Sequence, residues 1–325
     1  MTEYLSNQDD KQSRFSIEDP TVMTIGTFDG LHTGHRKVIS KICDRAKIVN
    51  KKSLLVTFRP HPLSVLSSKQ APRLLSTHEE KREMLDKCGL DYVAFLRFDN
   101  HLASYDPKKF VKDILVNQLG LSELVVGYDH RFGKARAGDA ALLELLGREM
   151  DFSLEVMLPV QRNGRPISSS LIRNALATGD VKSANLDLGR PYALAGEVVT
   201  GKKRGRELGF PTANIRVSGA PNETKLIPCE GIYAVNVEVD SKLYMGALHI
   251  GPKPTFQESD KVLEVHLLDF DMDIYNKEIK VEFIDYIRGI LSFEDVPDLI
   301  SQMKRDIEKI RAVLEKRSTH LNPSV

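Results

Sequence analysis

The sequence predicts an α/β domain with a Rossmann-like parallel sheet, followed by a small antiparallel β-barrel domain that ends in a helix. In residues 21–188, short apolar segments alternate with segments of helical periodicity, as in a parallel sheet with helical crossovers. In residues 192–286, five apolar segments follow one another with no helix between them, which favours an antiparallel barrel. We therefore predict two domains, residues 1–188 and residues 189–325.

Five strands and the helices between them are predicted in the first half, after a loose lead-in of residues 1–20. Apolar, β-branched composition predicts the strands, whereas capping residues, proline in a first turn and terminal glycine predict the helix ends. The predicted strands are Thr21–Thr27, Ser53–Phe58, Asp91–Leu96, Glu123–Val126 and Leu154–Leu158. The predicted helices begin near Thr33, at a capping box in Ser76–Glu79, and near Pro107, Asp139, Ser168 and Asp180.

The second half is predicted to hold five strands and one long C-terminal helix. Several of the strands alternate apolar and polar residues, as an antiparallel sheet with one wet face does. The helix has one apolar face, which we expect to pack against the barrel and not to form a partner site, and Ser292 with Asp295 is expected to cap its start. The predicted strands are Tyr192–Thr200, Ile232–Val239, Leu243–Ile250, Val262–Phe270 and Lys277–Tyr286.

The composition is that of an ordinary globular protein without a strong charge. The chain has 325 residues, with 46 basic and 45 acidic side chains and a net charge of +1. This balance does not indicate a nucleic-acid-binding or membrane-surface protein, and no apolar segment is long enough to span a bilayer. The three cysteines, Cys43, Cys88 and Cys229, fit no metal-binding or disulfide spacing. We therefore expect a cytoplasmic protein that binds neither nucleic acid nor a membrane.

The segment GTFDGLHTGH, residues 26–35, joins the first predicted strand to the first predicted helix. Free backbone N–H groups and the positive end of a helix dipole then lie at the carboxyl end of a strand, where anions bind. His32 and His35 share one side of the first helical turn, and Gly34 lets a phosphate approach the backbone. The pattern favours a polyphosphate site over two incidental histidines, and it requires both imidazoles to reach solvent.

Three further segments of the first half carry polar groups near strand ends. Residues 59–62 (RPHP) form either a rigid turn or part of a nucleotide-binding edge, and the residues do not decide between the two. Residues 127–139 interleave cations with aromatic side chains, which suits a phosphorylated planar ligand and equally a solvated basic loop. In residues 167–173, Ser169 and Arg173 can bind phosphate oxygens, although a plain serine N-cap also fits.

Two segments of the second half carry side chains suited to phosphate chemistry. Residues 201–215 place Thr212 and Asn214 on one side of an extended segment, where a hydroxyl and a carboxamide can bind Mg²⁺. On the strand 262–270, Glu264 can accept a proton from a hydroxyl. From the residues alone, a basic loop with a turn and a surface glutamate are the better explanations. A shared site requires Thr212 and Glu264 to lie close together.

These motifs resemble those of one known family, in matching order from about Val22 to Ile310. The GTFDGLHTGH segment resembles the signature of the HxGH nucleotidyltransferase superfamily. Together with GYDHRFGKARAG, ISSSLIR, GRELGFPTAN and EVHLLDF, it is similar to the bacterial bifunctional riboflavin kinase/FMN adenylyltransferases, also called FAD synthetases. The resemblance implies an HxGH nucleotidyltransferase fold for the first domain and a riboflavin kinase barrel with a C-terminal helix for the second.

The resemblance implies two reactions that both use ATP, with Mg²⁺ as the expected metal. The second domain would phosphorylate riboflavin to FMN, and the first would adenylylate FMN to FAD and release pyrophosphate. Riboflavin, FMN and ATP are then the expected partners, and the resemblance is compatible with a homo-oligomer. Two alternatives stay open: an FAD synthetase with a weak or inactive kinase domain, and a flavin-binding regulator without turnover.

The resemblance also implies roles for individual residues. Catalytic roles are expected for His32 and His35 at the triphosphate and for Glu264 as the kinase base. Thr212 and Asn214 are the expected metal ligands. Further nucleotide or phosphate contacts are expected at Gly26, Thr27, Phe28, Asp29, Gly34, Ser169, Arg173, Gly201, Gly209 and Pro211, and flavin-side contacts at Asp129, Arg131, Phe132 and Arg288.

The sequence departs from the family pattern at several positions. His130 stands where the family usually has Phe, which changes one wall of the expected flavin pocket from apolar to amphipathic. Asn276 replaces a glycine, and Asn also tolerates a left-handed turn. Residues 288–293 lack a Glu and a Lys that border the flavin in the family, which predicts a weaker or altered kinase whose central residues are kept.

Overall fold

A computed structural model describes most of the chain. The described residues are 2–6, 16–67, 71–128, 130–134, 137–201, 204–219, 223–253 and 258–321. By their contacts, the residues form two compact units, residues 1–169 with 220–225 and residues 170–219 with 226–325.

The first unit is built around a six-stranded parallel sheet with the strand order β1-β4-β3-β2-β5-β6. Its strands are β1 (Glu3–Ser6), β2 (Thr21–Ile25), β3 (Lys52–Arg59), β4 (Tyr92–Arg97), β5 (Leu121–Gly127) and β6 (Ser153–Met157). The strand order changes direction at β2. Open α/β sheets bind ligands at the carboxyl end of the strands beside such a switch point. The GTFDGLHTGH segment follows β2 directly and therefore lies at this position.

Helices cover both faces of this sheet. They are α1 (Thr33–Val49), α2 (Pro62–Leu66), α3 (His78–Asp86), α4 (Asn100–Ala103), α5 (Pro107–Phe110) with a π-helical continuation (Val111–Val116), and α6 (Ala140–Met150). Met23 and Leu54 pack against the π-helical segment and α6, whereas Val22 and Leu55 pack against α1 and α3. Because both faces are buried, β2 and β3 read as continuous apolar runs, and this is why the sequence predicts them. A short hairpin, β7 (Gln161–Arg162) with β8 (Arg165–Pro166), follows β6.

Two expectations for the first half are wrong. The lead-in contains β1, which pairs with β4 and adds a sixth strand. The segment EYLS is short and lies partly exposed at the sheet edge, so its composition does not distinguish it from a loop. The single helix predicted to begin near Pro107 is instead the short helix α5 followed by the π-helical continuation, which ends at Val116.

Helix α3 begins at a capping box, one residue later than predicted. The Thr77 hydroxyl accepts a hydrogen bond from the Glu80 N–H at 3.2 Å, and the Glu80 carboxylate accepts one from the Thr77 N–H at 2.9 Å. This reciprocal pair satisfies two amide groups that a helix start leaves without partners.

The second unit contains a closed antiparallel barrel with the strand order β10-β13-β12-β11-β14-β9. The strands are β9 (Tyr192–Val199), β10 (Ala213–Val217), β11 (Gly231–Val239), β12 (Lys242–Lys253), β13 (Glu258–Leu267) and β14 (Glu278–Arg288). Pairing of β9 with both β14 and β10 closes the barrel. The barrel prediction is confirmed. The sequence does not predict β10, because this strand is short and begins two residues after Pro211, at the end of a glycine-rich segment.

Four helices accompany the barrel: α7 (Ser169–Ala177), α8 (Val181–Leu188), α9 (Arg204–Glu207) and α10 (Val296–Leu321). All of α7 except Ser169, together with α8, belongs to the second unit by contacts. The division of the chain at residues 188 and 189 stays a prediction about the two activities. No helix in the described part of the chain is both long and apolar enough to cross a membrane.

Helix α10 packs against the barrel as its apolar stripe predicts. Ile310 and Leu314 are buried in a cluster with Ala234 of β11 and Ile284 of β14. The predicted cap at Asp295 is confirmed, since its carboxylate accepts a hydrogen bond from the Asp298 N–H at 2.9 Å.

Candidate active sites

The turn after β2 is held in an unusual backbone conformation by Asp29. Phe28 and Leu31 have positive φ angles of 47° and 38°, which L-residues other than glycine rarely adopt. The Asp29 carboxylate is buried and accepts hydrogen bonds from the backbone N–H groups of Leu75 and Ser76, each at 3.0 Å. These bonds fix the turn, and the predicted contact of Asp29 with the nucleotide stays a prediction.

The two imidazoles of the motif stack on each other at the start of α1. Their ring centroids are 3.6 Å apart, and His32 Nδ1 accepts a hydrogen bond from the His35 N–H at 3.3 Å, which makes His32 the N-cap of the helix. His32 is only 6% exposed. The expectation that both rings reach solvent is therefore wrong for His32, because capping turns its ring inward.

His35 is the more accessible of the two imidazoles and lies partly exposed. Within the described part of the chain, its Nδ1 is buried and has no hydrogen-bond partner. Burial, followed by the nearby His32 and Lys81, lowers the pKa of His35 well below its ordinary value, so the ring is neutral near pH 7. An unpaired buried polar atom beside a helix start needs an explanation, and a bound ligand supplies one.

Two glycines and a threonine of the motif have identifiable structural roles. A Cβ at Gly34 would lie 3.1 Å from atoms of the His32 ring, so Gly34 makes room for that ring. A Cβ at Gly26 would lie 3.3 Å from the Phe28 ring. The Thr27 carbonyl accepts a hydrogen bond from Lys81 Nζ at 2.8 Å. Their predicted nucleotide contacts stay predictions.

The pyrophosphate residues are divided between the two units. Ser169 belongs to the first unit, and its hydroxyl donates a hydrogen bond to the Asp29 carbonyl at 3.0 Å. The structure therefore brings Ser169 to the turn after β2, as predicted. Arg173 lies on α7 in the second unit, and its role stays a prediction.

A cavity of about 260 Å³ opens beside this turn in the first unit. Its charged lining combines the cations of Arg59, Arg73 and Lys81 with the carboxylates of Asp29 and Glu223. The buried position of Lys81 lowers its pKa, and burial together with Arg59 lowers the pKa of His78 to about 4. The charged and imidazole lining is Asp29, Arg59, His61, Arg73, His78, Lys81 and Glu223. The RPHP segment thus lines a cavity. Lys81 and Glu223 also line it, although nothing in the sequence around them predicts a binding role.

The loop after β5 is only partly described, and the predicted residue Asp129 lies outside the described residues. Arg131 pairs with Asp139 at 2.7 Å, and Asp139 caps α6. Phe132 is buried in the core beside Phe110, with 6.3 Å between the ring centroids. The flavin-side roles of Arg131 and Phe132 stay predictions, because these contacts account for both side chains structurally.

The barrel unit contains a second cavity, of about 170 Å³, which several of the predicted kinase residues line. Thr212 and Glu264 both line it, as a shared site requires, and their binding of one ligand stays a prediction. Glu264 is buried, and its register partners on the neighbouring strands are Asn214 of β10 and His249 of β12. His266 lines the same cavity, and Val265 between them is fully buried, as strand alternation predicts.

Glycines make room for the predicted metal ligands. A Cβ at Gly201 would lie 2.0 Å from the Asn214 side-chain nitrogen, and one at Gly205 would lie 3.1 Å from the Thr212 hydroxyl. Gly209 has a φ of 83°, which favours glycine. The Pro211 carbonyl lies 2.7 Å from His266 Nδ1; because a carbonyl only accepts, His266 donates. The hydroxyl and carboxamide oxygens are hard ligands that fit Mg²⁺.

The rest of this cavity is apolar and includes α10. Leu299, Met303 and Ile307 of that helix line it, so part of the apolar stripe faces the cavity while the rest packs against the barrel. Arg288, a predicted flavin-side residue, lines the cavity and pairs with the buried Asp306 at 2.7 Å. Asp306, an acidic residue on the apolar face of α10, was the sequence signal that could have identified this part of the cavity lining.

Two protein-family models match this chain, one in each half. The FAD synthetase family model matches residues 15–171, and the riboflavin kinase family model matches residues 188–314. A solved structure, named a macrolide-efflux protein from Streptococcus pneumoniae, superposes with a TM-score of 0.81 at 28% identity, over 95% of this chain and 98% of that one.

Curated relatives align over nearly the whole chain. The bifunctional riboflavin kinase/FMN adenylyltransferase of Escherichia coli (strain K12) is 37% identical over 89% of this chain and 91% of its own length. The proteins of that name from Haemophilus influenzae and Bacillus subtilis are each 35% identical, over 89% and 88% of this chain and 93% and 90% of their own. On its identity to these relatives and the match of both family models, the chain belongs to the family of bifunctional riboflavin kinases/FMN adenylyltransferases.

Proposed function

We propose that the two units of this chain divide the two transferase reactions of its family. The barrel unit phosphorylates riboflavin to FMN, and the first unit adenylylates FMN to FAD with release of pyrophosphate. The observation that supports the division is that each unit has its own cavity, lined by its own motif residues. We assign residues 1–188 to the adenylyltransferase and residues 189–325 to the kinase.

In the kinase reaction, Glu264 accepts the proton of the riboflavin 5′-hydroxyl as that oxygen attacks the γ-phosphorus of ATP. The bond from this phosphorus to the β,γ-bridging oxygen breaks, and ADP leaves. The burial of Glu264 between Asn214 and His249 limits its motion, so the carboxylate is positioned before substrate binds. Thr212 and Asn214 would hold Mg²⁺, which would neutralise phosphate charge when bound. The apolar wall contributed by α10 and by Ile290, Leu291 and Phe293 contacts the isoalloxazine ring of the flavin.

In the adenylyl transfer, the FMN phosphate attacks the α-phosphorus of ATP directly, so the protein aligns the two groups and neutralises charge. His35, with its unpaired Nδ1, contacts the triphosphate, and His32 orients His35 by capping the helix and stacking on its ring. Lys81 supplies a cation at the same turn, where its ammonium donates a hydrogen bond to the Thr27 carbonyl at 2.8 Å. Ser169 and Arg173 act on the departing pyrophosphate.

The proposal includes Mg²⁺ as the metal of both reactions, with ATP as co-substrate. It also includes a cytoplasmic location and substrates limited to riboflavin, FMN and ATP, without nucleic acid or membrane as a partner. The near-zero net charge supports this choice.

Product analysis on the full-length protein tests the proposal. Riboflavin with MgATP should yield FMN and then FAD, and FMN with MgATP should yield FAD and pyrophosphate. Formation of FAD from FMN without any FMN from riboflavin would instead support an FAD synthetase with an inactive kinase. Tight flavin binding with neither product would support a regulator and would overturn the proposal.

A further inference from the structure

A segment from the second half of the chain completes the cavity of the first unit. Residues 220–225 follow β10 in the sequence but pack in the first unit, and Glu223–Lys225 is their described part. Thr224 accepts a hydrogen bond from the Leu74 N–H at 2.8 Å, which pairs the two segments in parallel. Glu223 and Thr224 also line the cavity beside the turn after β2.

Glu223 links the start of α3 to the RPHP segment. Its carboxylate accepts a hydrogen bond from the His78 N–H at 3.0 Å and pairs with Arg59 Nε at 3.3 Å. The Glu223 side chain is only 8% exposed, whereas Arg59 is 29% exposed. A buried carboxylate at a helix N-terminus is stabilised by the helix dipole. Glu223 therefore fixes both the direction of the Arg59 guanidinium and the position of α3.

Lys225, two residues after Glu223, anchors the same segment through Leu75 and Glu80. Its ammonium donates a hydrogen bond to the Leu75 carbonyl at 2.8 Å and pairs with Glu80, the capping-box residue of α3. The Lys225 side chain is 4% exposed. A buried ammonium is costly unless it is paired, so these contacts specify one position of the segment.

The contacts extend to the turn after β2. The backbone of Leu75 and Ser76 binds the Asp29 carboxylate. Lys81, on α3, donates to the Thr27 carbonyl. The negative charge of Glu223 also favours the protonated form of Lys81. Contacts that hold residues 74–81 in place therefore also hold Thr27 and Asp29, in the turn that leads to the HxGH residues.

We propose that Glu223 and Lys225 are positioning residues of the adenylyl-transfer site. The second half of the chain thus supplies a wall of a site whose motif lies in the first half. This inference rests on the proposed function of the first unit. Because neither residue contacts reacting atoms, their loss should weaken substrate binding more than it slows the chemical step, provided that the cavity holds substrate.

The test uses full-length Glu223→Gln and Lys225→Met proteins. Matched controls are Glu294→Gln and Lys242→Met, which change exposed residues of the same half. Steady-state FAD formation from FMN and ATP and FMN formation from riboflavin and ATP are measured in each protein. We expect about a tenfold rise in KM for FMN or ATP in FAD formation, a kcat within about threefold, and kinase constants within about twofold of wild type.

Two results would overturn the inference. One is FAD formation with unchanged KM in both variants. The other is an equal loss of both activities, which would show a general effect on folding. Absence of FAD formation in the wild-type protein would instead refute the proposed function. In that case amide hydrogen exchange decides the inference: faster exchange in His78–Asp86 of Glu223→Gln than of Glu294→Gln supports positioning, and equal exchange overturns it.

Discussion

Asn214 and Glu264 are register partners on the neighbouring strands β10 and β13. Side chains of register partners lie on the same face, so the predicted metal ligand Asn214 lies beside the predicted proton acceptor Glu264, which lines the barrel cavity. Thr212 lies two residues before Asn214 and lines the same cavity. Because β10 and β13 belong to a closed barrel, backbone hydrogen bonds set the relative positions of Asn214 and Glu264, whereas Thr212 lies directly before β10 begins at Ala213.

Replacing Thr212 with Val tests the metal assignment. Valine has nearly the same shape but lacks the hydroxyl, so the barrel should fold while Mg²⁺ loses one oxygen ligand. We expect FMN formation to need roughly ten- to hundredfold more Mg²⁺ for half-maximal rate. Mg²⁺ titration of both reactions measures this, with FAD formation as the internal control. An unchanged Mg²⁺ requirement for FMN formation would contradict the assignment.

Replacing Gly201 with Ala tests whether Asn214 needs the space around it. The added Cβ would lie 2.0 Å from the Asn214 side-chain nitrogen, so the carboxamide must move. A displacement of about 1 Å in a positioning group can cost about a hundredfold in rate. FMN formation should therefore fall by about ten- to hundredfold, with FAD formation from supplied FMN unchanged. Kinase activity at the wild-type level would show that Asn214 is not needed in its present position.

Helix α10 provides a comparison between a cavity-lining and a packing residue. Met303 lines the barrel cavity, whereas Val313 is partly buried in the cluster between the helix and the barrel. Met303→Ala should raise the KM for riboflavin by about tenfold, because an apolar contact with the flavin is lost. Val313→Ala should lower the melting temperature with little effect on that KM. Equal effects of the two changes on the KM would argue against α10 as a flavin wall.

The first unit should lose stability as the solution becomes acidic. Burial lowers the pKa of His78 from 6.5 to about 4, and burial also lowers that of His35. Below pH 6.5 the unfolded chain binds protons that the folded chain does not, so the free energy of unfolding falls as the pH drops toward 4. The stability that the neutral His78 contributes is fully present above pH 6.5, the pKa of His78 in the unfolded chain, and is lost as the pH falls toward 4.

Thermal unfolding at pH 7 and pH 5 checks the effect. The decrease in melting temperature should be smaller in His78→Gln than in wild type, whereas His101→Gln, a change at an exposed histidine, should behave as wild type. An identical decrease in all three proteins would show that His78 does not titrate as the structure predicts.

Much of the fold follows from local sequence. The strands β2 and β3 are predictable because their residues are apolar on both faces, and Thr77 with Glu80 marks the start of α3. The motif of the first site is also local, since the strand, turn and helix that carry it are contiguous in residues 21–49. By contrast, β1 and β10 are short strands whose identity depends on partners distant in the sequence.

The site residues that sequence reasoning missed depend on long-range contacts. Lys81 lies in the polar segment HEEKREM, where nothing distinguishes it from a solvent-exposed lysine. Glu223 lies far from Arg59 in the chain and meets it only in the folded protein. The structural role of Asp29 in fixing the turn likewise depends on the N–H groups of Leu75 and Ser76, which follow β3 and α2 in the chain. Such residues become recognisable only when the topology brings their partners together.

The central claim is that one chain holds two separate active sites, and paired substitutions in the full-length protein test it most directly. Both products are measured for Glu264→Gln and for His35→Ala. Glu264→Gln should reduce FMN formation from riboflavin by at least about a hundredfold and leave FAD formation from supplied FMN unchanged. His35→Ala should do the reverse. Loss of both activities in either protein would contradict the division of the two reactions between the two units.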